Sequence, residues 1–495
     1  MTVLAHLPAL QVVAPLLAAP VCVIIRSPRL AWAIACAVSW LTFFTACGLL
    51  WQVQTNGPIS YALGGWAHPW GIEYRVDHLN AIVLLVVSGI STLVLPFARD
   101  SIEREVPKSR LSYLYAGWIL CLTGLLGMAI TGDAFNVFVF LEISSLSTYM
   151  LVALGPDRRA LMSAFEYLII GTIGATFILI GIGLMYQLTG TLNMADLAER
   201  LPSPSENRTV VAAIGFTLVG IAIKAAVFPL HVWLPRAYRF APVAVTAFLA
   251  GSATKVSVYL LARFAFSVFG IEWSVGGFAI TDLFLVIALA GSIVASLIAI
   301  YANDLKALLA YSSVAQIAYM VLGLSLANAA GISAAMIHLF NHALMKTALF
   351  MVVGCVVFRT GRAEISNLAG LGRLMPWTMA AFVLAGLSLI GVPLTAGFIS
   401  KWYLILAAIE RDLMLVVVLI IISSLMAVIY IWRVVEVAYF REPEAGFAGV
   451  REAPWSMLGP LWLLVLANIY FGIDPEIVTT TANAAAAMLL GGGGS

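Results

Sequence analysis

Charge is the scarce ingredient of this chain. Of its 495 residues only 10% are Asp, Glu, Lys or Arg, while 62% are hydrophobic. Soluble domains carry about 25% charged residues, so the composition excludes a soluble protein and defines an all-α polytopic membrane protein. The net charge of +2 points to no nucleic-acid partner; where the charges lie matters more than their sum. Cysteine is sparse too. Cys22, Cys36, Cys47, Cys121 and Cys355 all sit in apolar runs, none in a CxxC or other metal spacing, and they read as small core residues. There is no nucleotide loop, catalytic triad, haem or iron–sulfur spacing. No cofactor and no metal is therefore expected, and the chain must run on an ion gradient or on redox work done elsewhere. The first residues lack a basic stretch, so residues 4–25 are expected as a retained span and not a signal peptide. Residues 491–495 read GGGGS, an appended linker without function.

What remains is long apolar runs. A spanning helix needs about 20 apolar residues. Fourteen candidates follow, at roughly 4–25, 30–53, 78–98, 111–130, 134–154, 162–188, 209–233, 242–269, 280–301, 307–328, 331–358, 375–409, 413–438 and 455–473. With the N-terminus outside, every inner loop is basic: sixteen Lys or Arg, against Arg75, Arg200, Arg208 and Arg411 outside. Positive loops stay cytoplasmic, which places both termini on the non-cytoplasmic side of a bacterial cell (inner) membrane. Residues 57–76 are expected as an outer hairpin or cap, and NMADLAERL (193–201) as a short outer helix. After the last span only a short tail is expected, with no helix lying along the membrane.

Two spans look broken. Span 7 carries Pro229 shortly after Lys224, and span 12 is interrupted by GVPLTAG before Lys401. Paired breaks in two halves mark inverted-repeat transporters with the ion site at the breaks. The expected organisation is a three-helix segment with the hairpin (1–110), a first inverted five-helix repeat (111–269), a second (270–440), and a last helix with tail (441–490).

Charged groups inside the spans cost several kcal/mol each and are functional hypotheses by default. Glu142 in span 5 is expected to pair with Lys224, each holding the other charged; a static structural ion pair is the bland alternative. Lys255, in mid-span 8 with no acid nearby in sequence, suits a proton relay, unless it merely snorkels. His338, His342 and Lys346 recur every fourth residue and share one helix face; they could pass protons or act as polar glue. Lys401 follows the second break and is the candidate exit, or a structural donor to broken-helix carbonyls. Asp133 and Asp304 could be funnel charges or helix caps, with Lys306 beside Asp304 at the inner mouth. Arg263, Arg433 and Glu436 are expected at lipid headgroups or partner subunits.

At these residues the chain resembles a known family: the antiporter-like subunits shared by Mrp-type multisubunit Na+/H+ antiporters, respiratory complex I and membrane-bound hydrogenases. The motifs are GDAFNVFVFLEISSLSTYML (132–151), KAAVFPLHVWLPRAY (224–238), AGSATKVSVYLLAR (250–263), NDLKALLAYSSVAQIAYM (303–320), HLFNHALMKTALF (338–350) and GVPLTAGFISKWYL (391–404). GDxFN with FVFLE is similar to the D-type branch of Mrp antiporters; the N-type complex I branch shares the lysine at Lys401. The resemblance implies a fourteen-helix bundle in a hetero-oligomer of membrane subunits, moving protons and monovalent cations. It implies a Glu142–Lys224 pair and a proton line through Lys255, His338 or His342, and Lys401. PRAY at 235–238 departs from the PDAH or PRAH of many relatives, which leaves Tyr238 where a histidine would stand. The expectation is a proton-translocating subunit of a cation/proton antiporter; the alternative is a proton-pumping subunit of a redox-driven quinone oxidoreductase or hydrogenase.

Overall fold

The computed structural model describes residues 3–203, 207–270, 274–275, 278–443 and 449–491; residues 492–495 of the expected linker lie outside them. Nineteen α-helices follow in order: α1 Leu7–Ile25, α2 Pro28–Asn56, α3 His78–Glu105, α4 Leu111–Ile130, α5 Ala134–Ala153, α6 Arg159–Thr189, α7 Met194–Arg200, α8 Arg208–Ala225, α9 Trp233–Phe240, α10 Val243–Ala262, α11 Ile280–Tyr301, α12 Leu305–Ser325, α13 Ala329–Thr360, α14 Leu371–Leu374, α15 Pro376–Ile390, α16 Ala396–Ile409, α17 Met414–Phe440, α18 Trp455–Ile473 and α19 Glu476–Leu490. Among the described residues thirteen helices are long and apolar enough to cross a membrane. The fourteenth crossing is made by α15 and α16, each too short alone. The crossings define two faces, one carrying both chain ends and one carrying the basic loops.

Burial is uneven for a physical reason. α4, α10 and α12 are enclosed nearly all round, while α1, α6, α11 and α17 keep a broad apolar side outward. Helices apolar on every side suit a bundle whose rim meets lipid or other membrane proteins.

The two inverted repeats are visible in the hydrogen bonding. Asp133 caps α5 by accepting from Asn136 N–H, and Asp304 caps α12 by accepting from Ala307 N–H, so both acids act as caps. Ala134 N–H donates to the Leu192 carbonyl and Met194 N–H to the Gly132 carbonyl, both at 2.8 Å. On the opposite face Leu305 N–H donates to Ala363 at 2.8 Å and Ile365 N–H to Asn303 at 2.9 Å. Gly190 and Gly361, both at φ 71°, end α6 and α13, the left-handed stop that glycine adopts without penalty. Every corresponding pair is 171 residues apart.

Both predicted breaks are present and equivalent. Val227 N–H reaches back to the Ala222 carbonyl at 2.9 Å, and Val392 N–H to Leu387 at 3.1 Å. Ala226 N–H bonds Ile223, and Gly391 N–H bonds Ser388, both at 3.1 Å. These are Schellman-type ends, 165 residues apart throughout.

The expected hairpin pairs strand β1 (Ile59–Ala62) with β2 (Glu73–Val76), antiparallel, and α7 is the expected short helix. The tail departs from expectation. α19 lies across the face of the chain ends against α3 and α13, burying Val478, Ala482, Ala485 and Leu489. Arg433 also departs from its expected outward contacts. It donates to the carbonyls of Ile300 (2.6 Å) and Ala302 (2.8 Å) and to Asn303 Oδ1 (2.7 Å), because the end of α11 leaves carbonyls without helical partners. Glu436 pairs with Arg441 at the surface, 3.1 Å away.

Candidate functional site: buried lysines and histidines between two broken helices

Lys224 sits in the last turn of α8 and is buried. Trp233 just beyond the break donates to the Ile223 carbonyl at 2.9 Å and stacks on Tyr167, centroids 4.0 Å apart. Tyr167 meets Tyr149 edge-on at 4.7 Å. This aromatic wall sets Tyr149 against the lysine. The amine donates to Ser145 Oγ at 2.8 Å and Tyr149 OH at 3.2 Å. It does not touch Glu142: among the described residues no ion pair joins them, although Glu142 is the charge acting on Lys224. Glu142 Oε1 is buried with no hydrogen-bond partner. The expected contact is therefore open here, with the amine one turn along α5.

Lys255 in α10 is wholly buried and donates to the Ala250 carbonyl and to Thr254 Oγ1. α10 packs against α13, the helix of His338, His342 and Lys346. His338 and His342 lie nearly parallel, centroids 5.9 Å apart. His338 Nδ1 bonds Ser400 Oγ at 2.8 Å, while its Nε2 and both nitrogens of His342 have no partner. Lys346 donates to the Leu309 carbonyl at 2.9 Å and to Ser312 Oγ. Lys401 reaches back across the break to the carbonyls of Leu389 (3.0 Å) and Ile390 (2.8 Å), and to Ser424 Oγ at 2.8 Å. Tyr319, edge-on to His338 at 5.7 Å, presents its ring to the Lys401 amine at 5.1 Å.

Buried polar atoms are nearly always satisfied by protein or ordered water. His342, His338 Nε2 and Gln316 Oε1 on α12 are buried polar atoms without protein partners. Beside Lys401 a 240 Å³ cavity opens between α16 and α17, lined by Gly391, Trp402, Ser424 and Leu425. At the basic-loop face Lys306 is buried and donates to the Ala241 carbonyl at 2.6 Å, while Glu105 accepts the Val243 N–H at 3.1 Å. A 670 Å³ recess lies alongside, lined by Arg239, Asp304, Tyr311 and Glu364. Among the described residues no group of three His, Cys, Asp or Glu is placed to hold a metal ion.

Arg263 overturns its expected place at headgroups. It is buried and bonds both carboxylate oxygens of Asp77, at 2.8 and 2.7 Å; α10 carries it inward to the capping residue of α3, where a paired charge is tolerated. Asp77, Glu105, Ser145, Tyr149, Ser400 and Ser424 were not singled out from the sequence. The hydroxyl-rich runs SSLSTY (144–149) and ISS (422–424) were the available signal.

The fold and this polar line define a membrane protein of the antiporter-like class. Residues 131–427 match the family described as NADH:quinone oxidoreductase/Mrp antiporter, TM, and the chain belongs to that family. It is 40% identical over 487 residues to an N-type relative, the NADH-quinone oxidoreductase subunit N of Desulforudis audaxviator, covering 95% of this chain and 96% of that one. It is 30% identical over 425 residues to the D-type component of the Na(+)/H(+) antiporter of Alkalihalophilus pseudofirmus, covering 86% and 85%. In fold it is similar to a chain of the Mrp complex from Dietzia sp., with TM-score 0.90 at 24% identity over 99% of this chain and 98% of that one. A chain of the membrane-bound sulfane sulfur reductase, an archaeal respiratory membrane complex, gives TM-score 0.86 at 31% identity, covering 98% of each.

Proposed function

We propose that this chain is the proton-translocating subunit of a multisubunit monovalent cation (Na+)/proton antiporter in a bacterial cell membrane, with the basic loops on the cytoplasmic side. The observation that carries the reading is the series Lys224, Lys255, His342, His338 and Lys401, buried between two broken helices, with polar atoms left for water. Glu142 and Lys224 act as the switch. When the carboxylate closes on the amine, the lysine is held charged; when the amine withdraws to Ser145 and Tyr149, its proton is easier to release. Lys255 and the two histidines relay it, and Lys401 loads or releases it. Other membrane subunits complete the machine, a reading supported by the membrane complexes to which the similar chains belong.

The 40% identical N-type relative favours a second reading, a proton-pumping subunit of a redox-driven complex. The residues would do the same work under a different drive. Purifying the native complex and recording its spectrum separates the two: flavin or iron–sulfur absorbance contradicts the antiporter. Gradient-driven transport in vesicles tests the shared core, where wild-type rates in both E142Q and K401A would reduce the chain to a scaffold.

A further inference from the structure

One turn beyond Lys255, α10 carries Tyr259, and one turn beyond that comes Arg263, so the three share a helix face. Tyr259 and Arg263 floor a 210 Å³ cavity lined also by Glu73, Arg75, Glu199 and Ser267. Its rim includes Ala195, Ala198 and Glu199, all exposed, so the cavity reaches the face of the chain ends. At about 30 Å³ per molecule it has room for roughly seven waters. Water this close to a proton-carrying lysine would short-circuit transport unless the layer between them is proton-tight.

The bonding of that layer is of the required kind. Arg263 Nη2 holds both Asp77 oxygens, and the two side chains are 9% and 0% exposed. Arg263 Nε donates to Tyr259 OH at 3.2 Å, and Tyr259 OH donates to the Ala129 carbonyl at 3.0 Å. A hydroxyl relays a proton by accepting one on its lone pair while giving up its own. Here the lone pair faces a guanidinium, which does not deprotonate in proteins, and the hydrogen rests on a carbonyl that cannot pass it on. Asp77 is fixed in turn by the N–H groups of Leu79 (3.1 Å) and Asn80 (3.2 Å). Fixed cationic groups are a known barrier to protons in water-filled pores.

We propose that Tyr259, Arg263 and Asp77 form a proton seal between an aqueous vestibule and Lys255, closing the relay to this face at α10. The inference rests on Lys255 carrying protons. It is tested in vesicles holding the assembled complex, by passive proton leak under an imposed pH gradient without the coupling cation, and by labelling S267C with a membrane-impermeant thiol reagent. S267C is expected to label. R263Q and the charge-neutral D77N/R263Q are expected to raise the leak at least ~10-fold, D77N, which keeps the guanidinium but removes its anchor, to raise it less, and K255M added to R263Q to abolish it. A role in folding alone would affect D77N and R263Q alike. Wild-type leak in the assembled Arg263 variants overturns the seal. So does an unlabelled S267C, a variant that gives up only the long 3.5 Å contact from Arg263 Nη1 and keeps the Asp77 and Tyr259 bonds, even if the Arg263 variants fail to assemble. Wild-type transport in K255M, by contrast, would sink the proton line itself.

Discussion

The two broken helices end alike, yet each uses its lysine differently. In the first half the lysine precedes the break, and its amine leaves the helix for the hydroxyls of Ser145 and Tyr149 with Glu142 nearby. In the second half the lysine follows the break, and its amine returns to the carbonyls of Leu389 and Ile390. Those two residues occupy the positions equivalent to Lys224 and Ala225, 165 residues on. A half-helix C-terminus is electrically negative, so Lys401 is a cation held by backbone, whereas Lys224 is a cation held by side chains that can move. On the proposed function, the same turn thus serves a switch on one side and a fixed terminus on the other.

The comparison breaks first at the lysines. Both K224M and K401M are expected to lower gradient-driven transport by more than ~10-fold. They should differ in stability. K401M strips the donor from the buried Leu389 carbonyl and the part-buried Ile390 carbonyl, at about 1–3 kcal/mol for a buried unsatisfied group, while after K224M Ser145 and Tyr149 can bond each other. Equal melting shifts for the two variants would erase the distinction. Next comes E142Q, which removes the charge that is proposed to govern Lys224 and has no counterpart at Lys401. It should cut transport about tenfold with assembly intact, and a full rate in vesicles would leave the switch without its acid. Y149F removes one hydrogen bond worth about 0.5–1.5 kcal/mol and frees the amine toward Glu142. Transport should change by less than ~10-fold, and a double-mutant cycle between positions 142 and 224 should show stronger coupling than in the parent. The smallest effect sharpens the likeness of the halves. A Cβ at Gly190 or Gly361 would meet nothing within 4 Å, so alanine at either pays only left-handed backbone strain, about 1–2 kcal/mol. G190A and G361A should shift the melting temperature equally; a clear difference would show that the two stops are not equivalent.

Much of this was legible because the bilayer simplifies the reading. Long apolar runs and basic loops locate the spans, and Pro229 and Pro393 announce the breaks. Buried lysines stand out because hydrocarbon penalises them. What stayed hidden is pairing. Nothing near Arg263 in sequence points to Asp77, 186 residues earlier, so a guanidinium toward the end of a span read as a headgroup contact. Ser145, Ser400 and Ser424 escaped because serine in a spanning helix ordinarily bonds its own backbone, as Ser147 does. α19 escaped because TTTANAAAAMLL is too short and too weakly apolar to read as a crossing. The distance between Glu142 and Lys224 could not be read at all, since a residue pattern names two partners without saying whether they touch.

Each repeat contains five crossings, and five is odd. A tandem copy of an odd-numbered unit must enter the membrane from the side opposite its parent, so the mirrored clasps at Gly190 and Gly361 need no separate instruction to face apart. Adding or deleting one complete crossing inside either unit would turn everything downstream upside down, which makes the number of crossings, more than any single side chain, the least editable property of this architecture.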